Sequence, residues 1–306
     1  MANAKVQGAD GGGLQGKISF SVVIPVFNVE PYLGQCLDSM LPALRAEDEI
    51  ILALRSSEDG SITIAEHYAQ ENGNIRLLRQ DGIGLSNARN CAGREAYGTY
   101  LIYVDSDDRV DTAQFTHALQ RIREDTSHRD VYFFDFYHDN HRTGKLEPWF
   151  QIGEGGNFQG VENIGKILRQ HRCFWNVWRY ICRRGFLMQN GITFLENRMS
   201  EDVDYTTSVL LARPDTAFYH DPYYLYAVGR GTSLMDRPTL RRLEDTVFVL
   251  ERSIRRLREA ALPYSDCVAA QFRFEYVLNM AQIYEIPAAD RTAGRQLFAN
   301  ARGGLS

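Results

Sequence analysis

The stretch Ile18-Ser19-Phe20-Ser21-Val22-Val23-Ile24-Pro25-Val26-Phe27 is apolar and β-branched almost throughout. A short run of that kind reads as a strand buried on both faces, the form strands take in parallel sheets. Downstream, residues 30–44 place Tyr32, Leu33, Leu37, Met40, Leu41 and Leu44 at helical spacing. The rhythm repeats. Buried strands are expected over 49–54 and 99–104, a short strand over 75–79 and a further strand over 130–137. Helices are expected over 61–70, 86–96 and 111–124. Strands alternating with helices specify an α/β fold, a mostly parallel sheet with helices on both faces. In such sheets ligands bind beyond the carboxyl ends of the strands, so the residues that follow each strand are where chemistry is expected.

Upstream, residues 1–16 (MANAKVQGADGGGLQG) are small, polar and Gly-rich, and read as a disordered lead-in. Beyond residue 137 the pattern changes. Residues 138–158 are polar and Gly-rich, a loop or hairpin excursion. Residues 161–172, 174–189 and 200–212 read as helices. Residues 216–227 are β-like, interrupted at Asp221-Pro222, and the tail from Thr239 is helical.

The whole chain has 306 residues, 44% hydrophobic and 24% charged. That suits one large domain with a helical appendage and excludes disorder, collagen and coiled-coil rods. A net charge of −5 disfavours a nucleic-acid partner. The five Cys (36, 91, 173, 182, 267) are odd in number and show neither CxxC nor zinc spacing, which reads as reduced thiols in a cytoplasmic protein. No apolar run reaches ~18 residues, and the N-terminus lacks a signal-peptide pattern.

Four segments carry candidate chemistry. Asp105-Ser106-Asp107-Asp108 directly follows the strand over 99–104. Clustered carboxylates on a short turn offer the oxygen ligands that Mg²⁺ or Mn²⁺ prefers, completed by water and substrate phosphates; an Asp-rich turn capping the next helix is the alternative. In Gly82-Ile83-Gly84-Leu85-Ser86-Asn87-Ala88-Arg89-Asn90, the glycines allow close backbone approach and Ser86 is placed to cap a helix whose first turn offers Arg89 to a phosphate. In Met199-Ser200-Glu201-Asp202-Val203-Asp204, Ser200 reads as a helix cap. Glu201 and Asp202 stand about 100° apart around the helix, so one of them is expected to face the cleft. Trp175, Trp178 and Arg179 form either core or a stacking platform for a sugar ring.

Together these segments resemble the family-2 glycosyltransferases, inverting enzymes of the GT-A fold, a Rossmann-like sheet here followed by a C-terminal helical extension. Ser21 to Leu33 looks like the family's first strand and helix. Gly84-Leu85-Ser86-Asn87-Ala88-Arg89-Asn90 matches its GLSxARN segment and Tyr103-Val104-Asp105-Ser106-Asp107-Asp108 its DxD motif. The stretch 194–205 resembles the part that holds its Glu-Asp pair, and Tyr226-Ala227-Val228-Gly229-Arg230-Gly231-Thr232-Ser233 an element that closes the domain. The resemblance divides the chain into the lead-in 1–16, a glycosyltransferase domain 17–236 (nucleotide-sugar half 17–137, acceptor half 138–236) and an extension 237–306.

It implies transfer from a nucleoside-diphosphate sugar, UDP-sugar favoured, to a glycan or lipid-linked acceptor in surface-polysaccharide or glycoconjugate synthesis. Pro25, Val26, Phe27, Asn28, Glu30, Arg55, Ser56, Gly84, Ser86, Arg89, Asp105, Ser106 and Arg230 would line the donor site. Asp107 and Asp105 would hold Mn²⁺ or Mg²⁺. Asp202 would act as base beside Glu201, and Trp175, Trp178 and Arg179 would meet the acceptor. A helix N-terminus lowers the pKa of a carboxylate such as Asp202, an effect that a partly buried cleft beside the acceptor would offset.

One departure is plain: Leu54 and Arg55 stand where the family carries the Asp pair that binds the nucleobase. A non-catalytic nucleotide-sugar-binding assembly module and a sugar-phosphate nucleotidyltransferase are the alternatives. The latter would show a Gly/Arg/Lys-rich loop where this chain reads Pro25-Val26-Phe27-Asn28.

In the tail, Leu240, Leu243, Val247, Leu250, Ile254 and Leu257 form a narrow apolar stripe, and six Arg stand against three acids over residues 239–258. The stripe either packs on the catalytic domain or rests, with its Arg, on anionic lipid at the inner face of a membrane. The chain could also self-associate as a homo-oligomer.

Overall fold

The computed structural model describes residues 18–80, 82–149, 158–159, 175–230 and 238–305. The expected lead-in and the expected helix over 161–172 lie outside the described residues. The first half follows the alternation: β1 (Phe20–Val26), α1 (Glu30–Met40), β2 (Glu49–Leu54), α2 (Ser61–Glu71), β3 (Ile75–Arg79), α3 (Leu85–Glu95), β4 (Tyr100–Tyr103), β5 (Arg109–Val110) and α4 (Thr112–Glu124). Then come β6 (Val131–Asn140), β7 (Lys145–Trp149), β8 (Phe158–Gln159), β9 (Tyr180–Arg183), α5 (Arg184–Gln189), α6 (Glu201–Leu211) and β10 (Thr216–Val228). The extension holds α7 (Leu240–Ala260), α8 (Ser265–Ala281) and α9 (Arg291–Leu305).

All the described strands join one sheet in the order β3-β2-β1-β4-β9-β6-β10-β5, with β7 paired to β6 and β8 to β10. The β3-β2-β1-β4 half and the β6-β10 pair are parallel. The short β9 runs antiparallel to both β4 and β6 and welds the two parts together.

Alternation along β1 explains why its run is apolar throughout. Phe20, Val22, Ile24 and Val26 face a core built with α1, α2 and α4. Val23 faces a second core shared with Ala88 and Ala92 of α3 and with Tyr205 and Val209 of α6. Successive side chains of a strand point to opposite faces, so a sheet covered on both sides needs apolar residues at both parities.

Two expectations need correction. Residues 174–189 are not one helix: a single 3₁₀ turn at Val177–Arg179 is followed by β9 and α5. Helical spacing and a short buried strand beside a turn are hard to separate over so few residues. Asp221-Pro222 does not end a strand either, because β10 runs through it and absorbs the Pro in a register shift between Tyr219 and Tyr224. The excursion after residue 137 is the hairpin β6–β7 as far as it is described.

In the extension, Leu243, Val247, Leu250, Ile254 and Leu257 are buried against Val203 and Leu210 of α6 and against Val268 and Phe272 of α8. The stripe therefore packs on α6 and α8. Arg252 and Arg256, two members of the basic island, turn inward to Asp204. Among the described residues, no helix is long and apolar enough to cross a membrane.

Candidate active site

The carboxyl ends of β1, β2 and β4 place three loops side by side. After β1, Asn28 takes a left-handed conformation (φ 53°), and its side chain accepts from Glu58 N at 2.9 Å. Glu30 Oε2 accepts from Gly60 N at 2.8 Å, and Asp59 Oδ2 accepts from Glu30 N at 3.0 Å. Asn28 and Glu30 thus tie the β1 loop to the β2 loop. Pro25 is half-buried and Val26 buried, while Phe27 is exposed with the Arg55 guanidinium 4.2 Å over its ring. Ser56 lies exposed beside Arg55 and Leu54 is buried. An aromatic ring and a cation, Phe27 and Arg55, thus stand together at the carboxyl ends of β1 and β2.

Helix α3 begins at Gly84, whose φ of +96° suits glycine alone. Ser86 is not its cap. It sits buried inside the helix, which has no side-chain cap, and Asn87 accepts from Gly82 N at 3.0 Å instead. From there the helix carries Arg89 into the protein, leaving it 1% exposed. The sequence offers Arg89 to a phosphate from the first turn of this helix. Its guanidinium lies instead beneath the site, where NH2 donates to Asp105 Oδ1 (2.7 Å) and NH1 to Glu201 Oε1 (2.8 Å) and Asp202 Oδ1 (2.9 Å). Its plane lies over the ring of Phe194, 5.1 Å from the centroid.

Asp202 also accepts from Val177 N at 3.2 Å. Both acids of the Glu-Asp pair thus accept from the same Arg89 nitrogen, where helix geometry alone led to the expectation that one of them faces the cleft. Ser200 is no side-chain cap: its φ is +61° and its hydroxyl is bonded to Thr246.

The electrostatics follow from this packing. Burial alone would lower the pKa of Arg89, but Asp105, Asp202 and Glu201 together raise it, so the guanidinium is permanently charged. For Asp202, burial pushes the carboxyl up from 3.8 to about 8 despite Arg89, with Glu201 and Asp105 adding to the rise. The lowering expected of a helix N-terminus loses to desolvation.

The Asp105-Ser106-Asp107-Asp108 turn divides its acids by role. Asp108 is buried, accepting from Tyr224 Oη (2.7 Å) and Ala227 N (2.9 Å), and its pKa is raised by burial, then by Asp107 and Asp105. Tyr224 Oη in turn accepts from Asp105 N at 3.2 Å, so β10 fastens the turn. Ser106 is buried. The side chains of Asp105 and Asp107 remain 27% and 38% exposed. Arg230 holds Asp107 Oδ2 at 2.7 Å, also donates to the Asp107 carbonyl, and stacks 4.7 Å over Tyr32.

Among the described residues no three His, Cys, Asp or Glu side chains group to hold a metal. Asp105 and Asp107 are the part-exposed carboxylates of the turn, and each already pairs with an arginine, Arg89 and Arg230. Burial and then the charge of Asp105 raise the pKa of Asp107, a repulsion that a hard cation with water and phosphate ligands would relieve.

The expected sugar platform is not assembled. Trp178 is 2% exposed and stacked on Tyr224 (4.2 Å, 6°), and Arg179 is buried, donating to Phe134 O. Only Trp175 of the three is part-exposed, and it packs on Phe272 of α8. Two helpers escaped sequence reasoning. Asn90 clamps the backbone of Phe194 in both directions, accepting from its N (2.8 Å) and donating to its O (2.9 Å). Tyr224 braces the acidic turn. Asn90 ends the GLSxARN segment and Tyr224 lies two residues before Tyr226, and those positions are the signal that could have pointed to them.

The chain belongs to the glycosyl transferase family 2, whose family model matches residues 21–188. The uncharacterized glycosyltransferase EpsJ of Bacillus subtilis is 31% identical over 210 residues, 67% of this chain and 60% of that relative. The crystal structure of residues 1–349 of TarS from Staphylococcus aureus superimposes with a TM-score of 0.70 at 22% identity, over 94% of this chain and 80% of that one. TarS has also been solved with UDP-GlcNAc. The mannosyltransferase PcManGT of Pyrobaculum calidifontis, in complex with GDP-Man and Mn²⁺, superimposes with a TM-score of 0.57 at 15% identity, over 93% and 79% of the two chains. These two likenesses are of fold: the GT-A architecture is shared.

Proposed function

We propose that this protein transfers a sugar, with inversion, from a nucleoside-diphosphate donor to a hydroxyl of a glycan or lipid-linked acceptor. The observation that carries the reading is Arg89, which gathers Asp105 from the β4 turn and Glu201 and Asp202 from α6 onto one guanidinium. In this reading the carboxylates it brings together, about a hundred residues apart in the chain, are those of the donor and acceptor sides.

In its ionised form Asp202 takes the proton from the acceptor hydroxyl as the oxygen attacks the anomeric carbon. Glu201 shares Arg89 and holds the guanidinium in register. Arg89 orients both acids and keeps their repulsion in check. Arg230, close to Asp107, is the cation best placed to accompany the diphosphate. Mn²⁺ or Mg²⁺ held by Asp105 and Asp107 would supply Lewis-acid neutralisation of the leaving nucleoside diphosphate.

The UDP-GlcNAc complex of TarS supports a UDP-sugar as the first donor to try, and the Mn²⁺ in PcManGT supports Mn²⁺ as the first metal. The stack of Arg55 on Phe27 motivates including other bases. The test is a panel of UDP-, GDP- and dTDP-sugars with Mn²⁺, read by nucleoside diphosphate release. Release with one donor and its loss in EDTA support the proposal. Binding without release would assign a non-catalytic module.

A further inference from the structure

The first turn of α6 carries the Glu-Asp pair, yet it has no side-chain cap of its own. The chain approaches it through Asn197 and Ser200, both with φ of 61°, a left-handed conformation that asparagine enters readily and serine uncommonly. The extension supplies partners for this approach. Asp245 of α7, 2% exposed, accepts from Arg198 NH1 (2.7 Å) and Met199 N (3.3 Å). Thr246 bonds the Ser200 hydroxyl at 2.8 Å, and Arg241 donates to Asn197 O at 3.3 Å. The Arg198 guanidinium lies 4.3 Å over the ring of Phe248.

In the same first turn of α6, the buried Asp204 accepts from Arg252 Nε (2.8 Å) and Arg256 NH1 (3.0 Å), and Arg256 NH2 donates to Ser208 Oγ (3.0 Å). Helix α7 therefore grips α6 on both sides of Asp202.

We infer that α7 is the positioning element for the acceptor-side carboxylates: Asp245 and Thr246 hold the approach at 197–200, and Arg252 and Arg256 hold Asp204, so that Asp202 meets Arg89 in its working orientation. This rests on the reading of Asp202 as the base. The physical logic is that a left-handed Ser200 relaxes once its outside partners are lost. The first helical turn then swings, and Asp202 leaves Arg89 and Val177 N. Misplacement of a reacting group by about 1 Å can cost ~100-fold in rate. The donor side, built from β1, β2 and the β4 turn, makes none of these contacts with α7, so donor affinity is spared.

The test compares wild type with Thr246→Val, which keeps the shape and loses the hydroxyl, Thr246→Ser, which restores it, and Asp245→Asn. Because Asp245 is buried and its variant can fail to fold, the Thr246 pair carries the argument independently. Hydrogen exchange is followed over residues 197–205 and over β1, β2 and β4. Turnover is measured with the nucleotide sugar that the panel identifies, water serving as acceptor.

The expected result is faster exchange confined to residues 197–205 and a kcat at least ~10-fold lower in Thr246→Val and Asp245→Asn. Donor KM should stay within about twofold, and Thr246→Ser should recover the kcat. Unchanged exchange with unchanged kcat, or exchange that rises uniformly across the protein, overturns the proposal. Asp202→Asn is assayed alongside. If it is inactive while the α7 variants are normal, the positioning role alone fails. If it is near-normal, the base reading fails and this inference with it.

Discussion

Arg89 NH1 and Asp202 Oδ1 lie 2.9 Å apart although 113 positions separate them in the chain. The guanidinium is almost wholly buried, and it also meets Glu201 and Asp105. Removing one partner of such a cluster leaves charge buried and uncompensated. Arg89→Met, of similar length and apolar, should therefore destabilise the fold by about 3–5 kcal/mol, read as a lower urea midpoint at pH 7. Arg89→Lys should recover only part of that, because one ammonium cannot reproduce a planar fork serving three carboxylates. A midpoint unchanged in Arg89→Met would remove the cluster from the account of stability.

The raised pKa of Asp202 gives a pH signature. As a base it works ionised, so kcat should rise with pH and level off above about 8. The stability effect has the opposite sign. The folded pKa lies above the unfolded one, so the contribution is full below about pH 4 and is lost as pH rises through about 8. Asp202→Asn should abolish turnover and flatten the decline in melting temperature between pH 5 and pH 9, ranges set by those two values. A kcat profile flat from pH 6 to pH 9 would count against the assignment.

Asp107→Asn keeps the shape of the acidic turn and removes one anionic oxygen. Turnover should fall ~100-fold, the scale for losing charge stabilisation of a leaving group. The melting temperature without ligand should hold or rise, since burial and the neighbouring Asp105 already disfavour the ionised form of Asp107. Full activity in excess EDTA would rule out the divalent cation.

Trp178 is stacked on Tyr224, and Tyr224 holds Asp108. Trp178→Ala should cost about 3–5 kcal/mol in stability. Trp178→Phe should leave acceptor KM within about twofold, because the ring faces the core; a large rise in KM with an unchanged melting temperature would restore it as a sugar platform.

Much of the architecture was legible in the chain. The doubly covered strand 20–26 needs apolar residues at both parities, and few other structures use such a run, so β1 and the alternation around it follow from composition and spacing alone. The motif segments could also be placed at strand ends, because a parallel sheet brings its carboxyl ends to one edge. Orientation was not legible. Whether Arg89 points to solvent or inward depends on packing against Phe194, and whether Trp178 lines a cleft depends on Tyr224 arriving from 46 residues away.

What the sequence determined by itself is therefore the layered α/β fold, the acidic turn after β4 and the helix that carries Glu201 and Asp202. Local hydrogen bonding and hydrophobic periodicity specify such features within a few residues. What only the tertiary structure decided is which charges meet. Arg89 gathers three carboxylates, Asp108 serves the fold while Asp105 and Asp107 stay part-exposed beside their arginines, and the extension reaches back to hold Ser200 and Asp204. Those pairings are set by desolvation and long-range contact, and burial outweighs the helix terminus in lifting Asp202. A chain read one segment at a time shows which residues are present, and only the closed core fixes how far each stands from water and from the others.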